Sequence, residues 1–280
     1  MFFQFLNLFS FITTIGFNYG TIKGFGPFHS ITNVSNTYKS VLTPPNWTFS
    51  IWGVIYTALS IFIISSFILK HKFQHIINNI GSLFSISCMF NVLWLLVFSL
   101  KTKESILGSL FIIVGLLITL VLIQIKGKLF RNSKLKTVKE KIAKVFCIDI
   151  PFSLYLGWII FATIANVGTC LSSWGINTNN YTIYFALFST ATFLYLLNLV
   201  CYGNYVTQLV FLYVIIGFLI KFSNNKYQNS IFFKFTFGTG LFSLIALISK
   251  IIIDICQRKK TIRKKMRDDK HLYTPTTYYV

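Results

Sequence analysis

The sequence predicts an all-α, polytopic membrane protein: a helical bundle of about eight transmembrane helices. Three observations predict it. Charged residues make up only 11% of the 280, where an ordinary globular domain holds roughly 25%. Hydrophobic residues reach 54%, with 31 phenylalanines and a mean hydropathy of +0.67, more than one soluble core of this length can hide. Uncharged apolar runs also recur along the chain, and several reach the roughly 20 residues that a helix needs to cross hydrocarbon. The net charge of +20 sits almost wholly between or after these runs. Basic loops beside membrane spans orient a membrane protein and meet anionic lipid, so nucleic acid is not the expected partner.

The spans follow in order. Met1 to Gly20 has no basic residue before Lys23 and ends without a small-residue cleavage pattern, so it reads as a first helix rather than a removed signal peptide. Asn46 to Leu69, Ile76 to Leu100 and Ser105 to Ile125 supply the next three. The fifth runs from about Ile150 to Trp174, where Asp149, ahead of Pro151, is expected to cap the helix start. The sixth is Tyr181 to Tyr202 and the seventh Tyr205 to Ile220, with Gly203-Asn204 between them suited to a tight hairpin. The eighth, about Phe235 to Ile255, carries Lys250 and Asp254 near its end. Their i, i+4 spacing lets them pair, or each can snorkel to the headgroups.

With eight helices, segment 70–75, loop 126–144 and the tail after Asp254 share one side. They hold two, eight and eight lysines and arginines, eighteen against seven in the opposite loops. Both termini are therefore expected in the cytoplasm. The sequons Asn33-Val-Ser and Asn180-Tyr-Thr fall on the external side. The lipid bilayer is the first partner expected, with anionic lipid near the basic tail and loop 126–144. Self-association into a homodimer stays open.

Enzyme signatures are missing. The five cysteines form neither a CxxC nor a Cys/His cluster. There is no H-E-x-x-H and no G-x-S-x-G. His71 and His75 share a helix face but lie beside Lys70 and Lys72 without a carboxylate, a poor metal site. The chain is expected not to be an enzyme.

The candidate binding residues come from three helix faces, since residues three, four and seven apart lie together. Phe49, Trp52 and Tyr56 do so in the second span, with Trp47 at the membrane mouth above them. Asn91, Trp94 and Phe98 do so in the third. Tyr155, Trp158 and Ala162 align in the fifth, with Asn166 close to the stripe and Gly157 and Ala165 allowing near approach of a neighbour. Aromatics also collect at bilayer interfaces as anchors, and asparagines bond helices together. A mostly apolar lining with a few convergent polar groups is equally how small-molecule sites look. Composition and spacing leave pocket and packing both open.

Three stretches, in order and on successive motif-bearing helices, carry a resemblance. "PPNWTFSIWGVIY" resembles the second-helix start of the tryptophan-rich sensory protein / translocator protein (TspO/MBR) family. "FNVLWLLVF" is similar to its third-helix pattern, and "PFSLYLGWIIFATIANV" to its fifth. The match covers roughly residues 1 to 175 and looks most like long family members with extra helices. It implies a five-helix unit over 1–175, three additional spans over 176–256 and a basic cytoplasmic tail over 257–280. It further implies an aromatic interior that binds a flat hydrophobic ligand such as a porphyrin, haem or a sterol. The motif positions are Trp47, Phe49, Trp52, Tyr56, Asn91, Trp94, Phe98, Tyr155, Trp158, Phe161 and Asn166. The loop ahead of the two prolines departs from the family: Tyr38 stands without its tryptophan and the K-P-x-W is missing. The expected function is a membrane receptor or sensor, with a small-molecule transporter as the alternative.

Overall fold

The computed structural model describes residues 1–23, 27–130, 135, 137–178, 180–223 and 230–272. Arg131, Lys134 and Lys136 of the basic loop, Lys226, and residues 273–280 of the tail lie outside the described residues. So do the side chains of Lys23 and Lys70 and those of the tail at 258 and 262–272.

Helix α1 spans Phe2–Lys23 and α2 Ile31–Thr37. A 3₁₀ turn at Asn46–Ser50 leads into α3, Ile51–Ile68. Then come α4, Lys70–Ile80; α5, Leu83–Ser99; and α6, Lys103–Gly127. Helix α7, Val138–Lys144, runs through a π turn at Val145–Asp149 into α8, Ile150–Ser173. Helices α9, Tyr181–Tyr202, α10, Tyr205–Phe222, and α11, Ile231–Leu272, complete the order.

By length and composition six helices can cross a membrane among the described residues: Asn46–Ile68, Lys103–Gly127, Val138–Ser173, Tyr181–Tyr202, Tyr205–Phe222 and Ile231–Thr261. A seventh span results if the bent pair His71–Ile80 and Leu83–Ser99 is one crossing. The chain is thus an integral, multi-pass helical protein. Helix α1 falls short of the eighth for a physical reason. Gln4, Asn7, Thr14 and Thr21 are buried against the bundle, while Phe2, Phe5, Phe9 and Ile12 point outward. Polar groups inside and phenylalanines outside suit a helix among others in lipid, but they lower its hydropathy.

The third expected span also differs. The chain breaks at Gly81, whose φ of 54° terminates α4, and α5 leaves at 54° to it. Phe73, Ile76, Ile77 and Ile80 of α4 are buried on one face, so the apolar run from Ile76 belongs partly to an amphipathic helix set across the bundle end.

Contacts among the long helices form two groups. Helices α1, α5, α6, α8 and α3 close a ring, each touching the next and α3 returning to α1. Helices α9, α10 and α11 form a triad in which each touches the other two. Helix α8 is a wall of both, touching α3 and α6 on one side and α9 and α10 on the other. Gly157 makes the second contact close: a Cβ there would fall 2.9 Å from Cβ of Val210 and 3.2 Å from Cα of Thr207. The near approach expected at Gly157 is therefore to α10, outside the ring.

Asp149 does not cap α8, correcting the expectation from the sequence. Because α7 continues through the π turn, α8 has no free first turn. Asp149 instead pairs with Lys144 at 2.5 Å, the side chains only 2% and 3% exposed. Lys144 Nζ also donates to the Lys128 carbonyl at 3.1 Å. Near the end of the apolar part of α11, Lys250 pairs with Asp254 at 2.7 Å, and Tyr205 donates its hydroxyl to the same carboxylate. Helix α11 continues unbroken across residue 257, so the described part of the basic tail extends the last span as helix.

Candidate functional site

The two prolines at 44 and 45 stop the preceding chain, and Thr48 Oγ1 closes the 3₁₀ turn by donating to the Pro45 carbonyl at 2.6 Å. This turn aims Phe49 into the ring and Trp47 away from it. Trp47 is 43% exposed and sets its ring against Tyr213 of α10, 5.4 Å between centroids and 87° between planes. It stands apart from the other motif residues.

Those others converge from the 3₁₀ turn and from α3, α5 and α8. Trp52 stacks on Tyr56, at 5.4 Å and 21°, and meets Tyr155 and Trp158 edge-on at 6.1 and 6.3 Å. Phe49 lies 6.0 Å from Trp158, and Trp158 lies 5.7 Å from Phe161. On α5, Trp94 stacks on Phe98 at 5.1 Å and 21°. Phe49, Trp52, Trp94, Phe98, Trp158, Phe161 and Asn166 all line one gap, whose other walls include Thr43, Pro44, Ala162, Ala165 and Thr169. The gap is nearly shut. Its volume is about 30 Å³, room for one or two waters.

A larger groove adjoins it, about 580 Å³ between α1 and α3. Phe49 and Trp52 line both spaces, and Tyr56 lines the groove. The opposite wall is α1, through Ile15, Asn18, Tyr19 and Thr21. Sequence reasoning did not single out these α1 residues. The available signal was polar residues at 4, 7, 14, 18 and 21 in an otherwise apolar run, mostly on one helical face.

The asparagines join helices. Asn91 Oδ1 accepts from Asn18 Nδ2 at 3.1 Å and from the Tyr56 hydroxyl at 3.5 Å, tying α5 to α1 and α3. Asn166 Nδ2 donates to Ser109 Oγ of α6 at 3.2 Å. Yet three donors around the site are buried without an acceptor: Asn91 Nδ2, Trp94 Nε1 and Trp158 Nε1. A buried N–H left unpaired costs about 1–3 kcal/mol. Trp94 and Trp158 line the gap and Asn91 lies beside it on α5, while buried polar atoms without a partner also occur away from the site, at Gln124, Gln208 and Ser243. Among the described residues no group of three or more His, Cys, Asp or Glu could hold a metal ion.

A family model described as TSPO-like protein matches residues 4–251. The match does not end near residue 175, the extent of the resemblance read from the sequence, but continues through α9 and α10 into α11. No curated protein and no solved structure matches the chain. Since the similarity takes in the ring and the triad alike, the chain belongs to the TSPO-like protein family.

Proposed function

We propose that this integral membrane protein is a non-enzymatic receptor or sensor for a flat hydrophobic ligand of the porphyrin or sterol kind. The unpaired indole donors Trp94 Nε1 and Trp158 Nε1 on the walls of the aromatic gap carry the proposal, with Asn91 Nδ2 unpaired one turn from Trp94 on α5. Two propionates of a porphyrin offer several acceptors, whereas a sterol offers one hydroxyl, which favours the tetrapyrrole. Ligand pockets span roughly 300–1,000 Å³. The groove of about 580 Å³ is of that size and the gap of about 30 Å³ is not. A macrocycle would therefore lie first against the stacked Trp52–Tyr56 pair. To reach the indole donors it would displace Phe49 or Trp52, the wall shared by groove and gap. If α1 and the bent pair α4–α5 each cross as well, eight crossings put both termini in the cytoplasm, with loop 126–144 and the tail against anionic lipid.

The test is a titration of the detergent-purified chain with protoporphyrin IX and with a sterol, beside a Trp52→Phe/Trp94→Phe variant. Binding is followed by the porphyrin absorption band, so that removing tryptophans does not remove the reporter. Saturable binding weakened by about tenfold, equivalent to ~1.4 kcal/mol, is expected in the variant. Equal binding by variant and parent would refute the site.

A transporter is the second reading, favoured by the buried Lys144–Asp149 pair. Ionisable residues inside membrane proteins commonly mark transport paths. Movement of porphyrin into protein-containing liposomes, abolished by Asp149→Asn, would establish it.

A further inference from the structure

We infer that Lys221 of α10 is a positioning residue for the candidate site: it latches the loop that closes the aromatic gap, and so places closure under control of the triad. The inference rests on the proposed site but is read from a different part of the molecule. Thr43 and Pro44 are walls of the gap, and the loop carrying them is held by its carbonyls. Lys221 Nζ donates to the Val41 carbonyl at 2.7 Å and to the Thr43 carbonyl at 2.8 Å. Its ammonium lies 5.4 Å from the ring centres of both Phe218 and Phe222, a cation–π seat that fixes the side chain from below.

Two more residues on the same face of α10 continue the contact at i−4 and i−8. A Cβ at Gly217 would fall 2.7 Å from Thr48 Cγ2, so only glycine lets the helix lie this close. Tyr213 donates its hydroxyl to the Thr48 carbonyl at 3.2 Å. Positions 213, 217 and 221 thus meet residues 48, 48 and 41–43, so one helix face runs antiparallel along the loop and the 3₁₀ turn. None of these three residues lines the gap. They reach it through the loop and the turn they pack against.

Helix α8 supports the loop from the ring side, where Ser172 Oγ donates to the Lys39 carbonyl at 3.3 Å. The loop also has bonds of its own: Thr43 N to the Ser40 carbonyl at 3.1 Å and Ser40 N to Thr43 Oγ1 at 2.9 Å. The amides of Ser40 and Thr43 therefore report whether the loop is closed.

The experiment is hydrogen–deuterium exchange of the full detergent-solubilised chain, comparing Lys221→Met, Lys221→Arg and Tyr213→Phe with the parent. Lys221→Met keeps the apolar stem and removes the charged donor. It should speed exchange across residues 38–48 by about tenfold, as loss of hydrogen bonds from a charged donor implies, and leave residues 88–98 of α5 unchanged. Lys221→Arg should restore protection. Protection of 38–48 equal to the parent in Lys221→Met overturns the latch, and so does loosening that spreads equally over α5. Should Lys221→Met not fold, Tyr213→Phe, which removes one hydroxyl, must still loosen 46–50 for the latch to stand. Protoporphyrin IX supplies the second readout, with faster dissociation from Lys221→Met expected. A parent chain that binds no porphyrin refutes the proposed function while leaving the exchange result to decide the latch.

Discussion

The molecule holds two aromatic clusters that differ in one respect. In the triad, Tyr184 is fully buried and packs against Phe188, Phe222, Phe232 and Phe235, with centroids between 5.2 and 6.1 Å. Its hydroxyl is satisfied by Thr236 Oγ1 at 2.6 Å, and Tyr195 donates to the Gly157 carbonyl at 2.5 Å. In the ring, Trp94 and Trp158 are also buried, but their N–H groups have no acceptor. Ring packing is similar in the two clusters. Aromatic crowding therefore does not separate a binding site from a core; the aromatic polar tips differ between the two clusters, although the triad helices also hold buried polar atoms without a partner, at Gln208 and Ser243.

Four substitutions break or sharpen this contrast. The largest effect is expected from Tyr184→Ala, which empties the centre of the triad cluster. Aromatic-to-alanine changes in a packed core cost about 3–5 kcal/mol. Detergent unfolding should show that loss, with porphyrin still bound saturably but released faster, because Tyr184 packs on the Phe218 and Phe222 rings that seat Lys221. Loss of saturable binding would mean the clusters are not separate.

Gly157→Leu comes next. It forces α10 away from α8 and should cost about 1–3 kcal/mol as overpacking; an unchanged melt would show that the two groups are not held at this crossing. Tyr195→Phe removes one interhelical hydrogen bond and should cost about 0.6–1.7 kcal/mol in the same assay. The smallest effect belongs to the ring. Trp94→Phe loses some ring area but also a buried donor without a partner, worth about 1–3 kcal/mol in the opposite sense. Its net change should stay under about 1 kcal/mol, with weaker porphyrin binding. If Trp94→Phe cost more stability than Tyr195→Phe, that N–H would have an acceptor after all.

Much of this was legible in the sequence, for reasons that can be named. Apolar runs placed α3, α5, α6, α8, α9, α10 and the apolar part of α11 because lipid selects length and hydropathy directly, whereas α7 lies in the stretch read as a basic loop. The spacing of Phe49, Trp52 and Tyr56, and of Trp94 and Phe98, gave faces that meet in the structure. Three features were hidden. Gly81 breaks a helix inside an uncharged run, so no change in hydropathy marks it. Asp149 reads as a cap only if a helix starts beside it, and the π turn that removes the start has no residue signature here. The latch was invisible because Lys221 counts in the sequence as one more basic residue near a span end. Only the fold brings it to carbonyls some 180 positions away.

The polar stripe of α1 has a consequence for how the chain enters the membrane. A lone α1 would leave Gln4, Asn7 and Asn18 facing hydrocarbon. Their partners come from Ser66 of α3 and from Ser85 and Asn91 of α5, more than sixty residues later in synthesis. Helix α1 is therefore a poor pioneer: its integration should wait until α5 has been made, held meanwhile at the insertion machinery or the bilayer surface. Translation intermediates cut before residue 83 should leave α1 extractable from membranes by alkaline carbonate, and those cut after residue 99 should not. Full resistance in the shorter intermediates would show that α1 inserts without its companions.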